Sequence, residues 1–297
     1  MTAMRYTELT LTLPTLATEA ISWALQEAGV AGVVLDQRSP DLPAEAPATL
    51  RAYLADLPET VTVEAALEAA RVALDLFDPD ATMHVETRPV EEEDWANSWR
   101  RFWHVMRIGR RLVVKPTWES HEPAPDDLVI TLDPQQAFGT GTHATTQLCM
   151  RALEELAERQ PLGTCHDIGT GSGILAITAC LLGSEGGVAV DIDPVAVHAA
   201  RENLEANGFG DRIRCATGGP DLVSEPADTV IANILAEVII ELAGDLARLT
   251  RPGGTLVASG ILGRKAEAVT DALTPLGFRH RTTMPEGDWV GMVFDRL

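Results

Sequence analysis

The chain has 297 residues, 45% of them hydrophobic, with 23 Lys and Arg against 44 Asp and Glu and a formal net charge of −21. That length predicts two domains, and the apolar content excludes a disordered chain. The charge argues against direct nucleic-acid binding, because phosphates attract cations, and leaves a basic protein partner or simple solubility as its meaning.

Residues 1–87 read as strand, helix, strand, strand, helix, strand. Residues 6–13 alternate with period two, and Ile21, Leu25 and Ala28 mark one face of a helix stopping near Gly29. A short apolar strand over 32–36, a Pro-rich loop over 40–47 and a strand over 49–54 follow. Val63, Ala66, Leu67, Ala70 and Leu74 repeat at helical spacing, and 81–87 forms a last strand. This order predicts a small α+β, ferredoxin-like domain. Residues 1–80 hold 4 basic and 13 acidic residues, a net of −9.

Residues 88–127 read as a linker with a Trp-rich helix. Trp95, Trp99 and Trp103 recur every four residues, which puts them on one helical face, as a bulky seam rather than a cofactor box. Arg100, Arg101, Arg107, Arg110, Arg111 and Lys115 form a basic strip that suits either RNA contact or pairing with neighbouring acids.

From residue 128 to 297 strands and helices alternate, the mark of a doubly wound, Rossmann-like α/β sheet. Expected strands are 164–168, 187–192, 213–216, 227–232, 254–259, 278–284 and 290–294. The last two have no helix between them and should form an antiparallel hairpin. Helices are expected over 194–207 and 235–249. Cys149, Cys165, Cys180 and Cys215 show no C-x-x-C spacing, which argues for free thiols and against zinc. Met1 to Leu13 lacks a signal peptide's apolar stretch, and no window approaches a membrane span.

The strongest chemical signal is His166-Asp-Ile-Gly-Thr-Gly-Ser-Gly-Ile-Leu175, in which an apolar strand runs into Gly169, Gly171 and Gly173 and then a helix. Glycines serve where backbone turns tightly and a ligand approaches without a Cβ in the way. A dinucleotide fingerprint needs its third glycine one residue later, where Ile174 stands, so a nucleoside without pyrophosphate fits better. Asp191, 22 residues after Gly169, ends the next strand and can accept from ribose hydroxyls. Asp193, before Pro194, reads as the cap of the following helix. Asn233 closes an apolar strand at the crevice, where its amide oxygen can orient an amine; a turn-forming Asn is the alternative. Phe138-Gly-Thr-Gly-Thr-His143-Ala-Thr-Thr146 suits a lid or wall over a ligand, with Thr142 capping the next helix. His143 is the one candidate there for a proton acceptor, against a role as mere polar lining.

Leu132-Asp-Pro-x-x-Ala-Phe-Gly-Thr-Gly-Thr-His143-x-Thr-Thr, Asp167-Ile-Gly-Thr-Gly-Ser-Gly-Ile-Leu-Ala, Asp191-Ile-Asp-Pro, Ala232-Asn-Ile-Leu-Ala and Ser259-Gly-Ile-Leu, in this order, resemble the methyltransferases of ribosomal protein L-eleven (PrmA). The likeness covers residues 90–297; the first 87 match in size and element order. It implies a class I methyltransferase fold with S-adenosylmethionine as cofactor. It also implies contacts at Thr146, Gly169, Gly171, Gly173, Asp191 and Asn233 and at Phe138, Gly139 and Thr140, and a substrate-docking N-terminal domain. Lysine and N-terminal amines of the ribosomal protein would receive the methyl groups, in the cytoplasm, from a monomeric enzyme. Thr170 stands where the family commonly has Cys, and Ala144 where it has Pro. The competing readings are a class I methyltransferase acting on another protein or on RNA, and a nicotinamide-dependent oxidoreductase.

Overall fold

A computed structural model describes residues 5–14, 17–30, 32–35, 47–55, 61–77, 81–91, 104–132 and 141–297. The chain divides into two compact units, Met1–Trp103 and His104–Leu297. The Trp-rich segment, and Phe138, Gly139 and Thr140, lie outside the described residues.

In the first unit the elements run β1 (Arg5–Pro14), a helix (Thr18–Glu27), β2 (Gly32–Leu35), β3 (Pro47–Ala55), a helix (Val63–Phe77) and β4 (His84–Glu91). The strands form one antiparallel sheet in the order β2-β3-β1-β4. Period-two alternation sends Leu9, Leu11 and Leu13 of β1 to the face shared with Leu50, Ala52 and Leu54, where Ile21, Leu25, Ala66, Ala70 and Leu74 of the helices cover them. Glu8 points the other way yet is buried, because Arg88 binds it with both Nε (2.8 Å) and Nη2 (2.9 Å). Burial pushes the Glu8 carboxyl up, but the Arg88 and Tyr53 hydrogen bonds and the charges of Arg88 and Arg51 outweigh it and hold it low.

β4 lies later than expected, with Arg5 opposite Glu91, so the first unit runs past residue 87. Its Pro89 is tolerated because β4 is an edge strand. Residues 104–127 are not linker either. β5 (Met106–Ile108) and β6 (Leu112–Lys115) form a hairpin, and β6 pairs in parallel with β7 (Leu128–Thr131). The basic residues that masked these short strands are fastened to acids: Arg107 to Asp127 at 2.7 Å and Arg110 to Glu158. Buried Glu154 accepts from the backbone N–H of both Arg110 and Arg111 at 2.8 Å, which caps the hairpin.

The large sheet has the order β10-β9-β8-β11-β12-β14-β13. Its strands are β8 (Thr164–Ile168), β9 (Gly186–Asp191), β10 (Ile213–Thr217), β11 (Ala227–Asn233), β12 (Thr250–Leu262), β13 (Phe278–Glu286) and β14 (Trp289–Arg296). The first five are parallel, whereas β14 is antiparallel to both β12 and β13. Ile231, Val257 and Val293 pack on one face with helices Ala144–Arg159 and Ile174–Leu181. Val230, Leu256, Ala258 and Phe294 pack on the other with helices Ala236–Glu241, Ala243–Leu249 and Ala266–Leu273. The helix expected over 235–249 is broken at Leu242, just before Gly244, a weak helix former.

Candidate functional site

After Ile168 the backbone turns left-handed at Gly169, Gly171 and Gly173, with φ of +76°, +54° and +82°, values that side-chain-bearing residues adopt only under strain. Val190 O accepts from both Gly169 N (2.9 Å) and Thr170 N (3.0 Å), pinning the loop to β9. A Cβ on Gly173 would stand 3.1 Å from Ala200 Cα, so this glycine also lets two helices approach.

Register then decides what surrounds the loop. Ile168 pairs with Val190 on one side and with Ala232 on the other. Asp191, Gly169 and Asn233 are therefore the next residues on three adjacent strands. With strands ~4.8 Å apart, the backbones at Asp191 and Asn233 stand about 10 Å apart on either side of the glycine loop. β9 and β11 leave β8 in opposite directions, which makes this the topological switch point where open α/β sheets bind ligands.

Asp191 Oδ2 accepts from Gly171 N at 2.9 Å and Oδ1 from Asp193 N at 3.0 Å, each oxygen keeping lone pairs for further donors. Asp193 caps the helix Pro194–Ala206 through Val195 N (2.8 Å). Between them Ile192 is 83% exposed, a large apolar side chain at the crevice that sequence reading missed. Its position after the strand-ending acid is the available signal, but exposure is not legible in an isolated Ile.

Asn233 donates from Nδ2 to Thr146 Oγ1 at 3.3 Å, while its Oδ1 is buried and makes no hydrogen bond. Such an acceptor is expensive to leave unmet, which marks it as waiting for a donor. Thr146 is fully buried near the start of the helix Ala144–Arg159. The Asn233 turn also needs Gly260: at φ +80° a Cβ there would meet Ile234 O at 2.2 Å.

The cap of that helix is His143, not Thr142. His143 Nδ1 accepts from Thr145 N (3.3 Å) and lies 2.7 Å from Thr145 Oγ1, while the ring packs edge-on against Trp289 at 5.3 Å. Burial pushes its pKa down and keeps the ring neutral. A neutral ring that accepts at Nδ1 carries its hydrogen on Nε2, so its lone pair faces the start of the helix. Asp167, on β8 beneath the loop, is a second group whose importance the sequence did not reveal. Burial raises its carboxyl to about 7, with Asp191 adding repulsion against the lowering Thr170 hydrogen bond.

A glycine loop with a distal acid also serves nicotinamide enzymes, so likeness to known families decides between them. Residues 5–296 match the family described as Ribosomal protein L11 methyltransferase (PrmA). The chain belongs to that family. The ribosomal protein L11 methyltransferase of Pelotomaculum thermopropionicum is 40% identical over 97% of this chain and 98% of its own length. That of Geobacillus kaustophilus is 36% identical over 98% and 99%. Among solved structures, the ribosomal protein L11 methylase of Lactobacillus delbrueckii subsp. bulgaricus shares 35% identity with a TM-score of 0.59, covering 66% of this chain and 98% of that one. The fold is thus a class I methyltransferase fold with a mixed central sheet, and the cofactor of this methyltransferase is S-adenosylmethionine.

Proposed function

We propose that the enzyme methylates lysine side chains and the N-terminal amine of ribosomal protein L11. The observation that carries this reading is the buried, unmet Asn233 Oδ1 beside Thr146 at the carboxyl end of β11. Mass spectrometry of purified L11 incubated with enzyme and S-adenosylmethionine tests it, with ribosomal RNA as a parallel substrate. Methylated RNA with unmodified L11 would sink the reading.

The residues present fit the cofactor. Gly169, Gly171 and Gly173 offer backbone without side chains in the way, Asp191 has lone pairs for the ribose hydroxyls, and exposed Ile192 offers an apolar surface next to it. Thr146 and Asn233 close the other side, and Phe138, Gly139 and Thr140 are assigned to the same site by their motif. Bound there, S-adenosylmethionine supplies a sulfonium methyl that passes to a nitrogen lone pair, leaving a neutral thioether.

The protein's task is to present that lone pair. A lysine of pKa ~10.4 is about 3.4 units above pH 7, so deprotonation costs about 4.6 kcal/mol before any chemistry. Asn233 Oδ1 accepts one N–H of the amine and aims the lone pair along the line of transfer, with Thr146 holding the amide plane. Asn233 is no base, and His143 spends its lone pair on the helix cap, so the proton leaves to water as the amine enters.

For the first unit, the strand order β2-β3-β1-β4 supports a ferredoxin-like domain, and the net −9 of residues 1–80 supports docking of a basic protein. Among the described residues no helix is long and apolar enough to cross a membrane, and a cytoplasmic place of action rests on membership of a family named for a ribosomal protein.

A further inference from the structure

On the far side of Asn233 from the glycine loop stands an aromatic corner that the chemistry above does not use. In the sheet, Asp191 ends β9, the glycine loop follows β8 and Asn233 ends β11. The next two neighbours are β12 and β14. Asn233 pairs with Ser259 of β12, and Ser259 Oγ donates to Val290 O of β14 at 3.0 Å. Because β14 is antiparallel to β12, its first residue, Trp289, stands at the same carboxyl edge, opposite Leu262. Trp289 is half-buried, and its ring lies 5.3 Å from that of His143 with the planes at 67°. His143 in turn caps the helix one turn before Thr146, the partner of the Asn233 amide. The corner is braced from two sides. Glu286, opposite Trp289 in the hairpin, pairs with Arg151 at 2.7 Å, and Arg151 donates to Gln147 Oε1 at 3.0 Å. Gly263 N donates to Asp288 O at 2.8 Å. Burial keeps the His143 ring neutral, so neither ring of the corner carries a positive charge.

We propose that Trp289 is an acceptor-binding residue, whose aromatic face holds the cationic amine beside Asn233 and steadies the positive charge that grows on nitrogen during transfer. This rests on the reading of Asn233 as the residue that aims an amine. With the cofactor on the β9 and β8 side, the side of β12 and β14 is left to the acceptor. The amine arrives as an ammonium, gives one proton to water and attacks with the freed lone pair. The methyl joins nitrogen, while the S–CH3 bonding pair stays on sulfur. Nitrogen is therefore positive on arrival and positive again once the bond has formed. Asn233 Oδ1 meets one of its N–H groups and leaves most of that charge unbalanced. An indole face is the best aromatic partner for such a cation, and the attraction strengthens as water is displaced. A carboxylate in the same place would raise the amine pKa and oppose the proton loss that transfer requires.

The test keeps the shape of the side chain and removes only its charge distribution: the full chain carrying mono-, di- or trifluorinated tryptophan in place of Trp289, since fluorine drains the negative face of the ring. With L11 as acceptor, kcat/KM should fall stepwise with each fluorine, by about 2- to 30-fold in total. Calorimetry should show S-adenosylmethionine affinity unchanged across the series. Trp289→Leu should lose at least as much kcat/KM as the trifluorinated ring, and Trp289→Phe should recover part of it. A flat kcat/KM across the fluorinated series overturns the proposal, whether or not the substituted variants fold. An equal fall in cofactor affinity overturns it too, because it marks a ring that only packs the helix start. If the wild-type enzyme leaves the amines of L11 unmodified, the acceptor reading itself falls, and this inference with it.

Discussion

Replacing Asp191 separates two duties of one side chain. Both its oxygens already accept backbone N–H groups, from Gly171 at 2.9 Å and Asp193 at 3.0 Å, so the carboxylate shapes the loop and the helix start besides its proposed role toward the ribose. Asp191→Ala should remove the charged acceptor from the ribose hydroxyls, about 1.5–3 kcal/mol, hence roughly 10- to 150-fold in affinity. Asp191→Asn is the more informative change. Its amide keeps one acceptor but turns an NH2 toward either Gly171 N or Asp193 N, a donor facing a donor. It should lose affinity at least as severely as Ala despite its closer shape, and lower the melting temperature of the ligand-free protein as well. Calorimetry with S-adenosylmethionine and thermal unfolding without it read the two duties apart. If Asp191→Asn binds the cofactor like wild type, the carboxylate is not the ribose acceptor and the assignment is wrong.

Asn233→Ala should lower kcat more than cofactor affinity if its buried, unmet Oδ1 serves the incoming amine as proposed; equal losses in single-turnover and binding assays would demote it to a cofactor contact. Gly173→Ala combines φ +82° with a Cβ 3.1 Å from Ala200, and should destabilise by about 1–2 kcal/mol in denaturant unfolding; an unchanged midpoint would refute the packing argument. Burial raises the Asp167 carboxyl from the ordinary 3.8 to about 7, so its contribution to stability falls as pH rises between those values. Asp167→Asn should therefore gain melting temperature relative to wild type as pH climbs from 4 to 7, and a constant difference across that range would contradict the burial effect. A chain beginning after Glu91 should keep cofactor affinity but lose methylation of intact L11, most at low salt; full-rate methylation by it would refute a docking role for the first unit.

The parts of the fold legible in the sequence are those where one local rule dominates. Alternating Leu9, Leu11 and Leu13 and the glycine turn after Ile168 leave few other conformations open, and Asp193 with Pro194 announces its own helix cap. β5 and β6 escaped notice because three- and four-residue strands carry too little periodicity, and the Arg residues between them resemble a charged linker until Glu154, more than forty positions on, is found capping their turn. The capping His143 was missed because Thr142 is the better capping residue by type, whereas the cap falls to whichever residue stands at the helix start. Asp191 and Asn233 were legible as strand-ending polar residues. What each must still satisfy, and the burial of Asp167 below them, comes from register across strands that are distant in sequence.

β14 is made after β13 yet sits between it and β12 in the sheet. During synthesis β13 has no place to pair until the last strand emerges, and the edge of β12, with buried Leu256, Val257 and Ala258, stays open meanwhile. An open apolar edge is a template for other chains, so a nascent polypeptide at this stage is a client for chaperones. A premature stop at the Gly287 turn would accordingly give aggregates rather than a weakened enzyme, although every residue assigned to the cofactor precedes it.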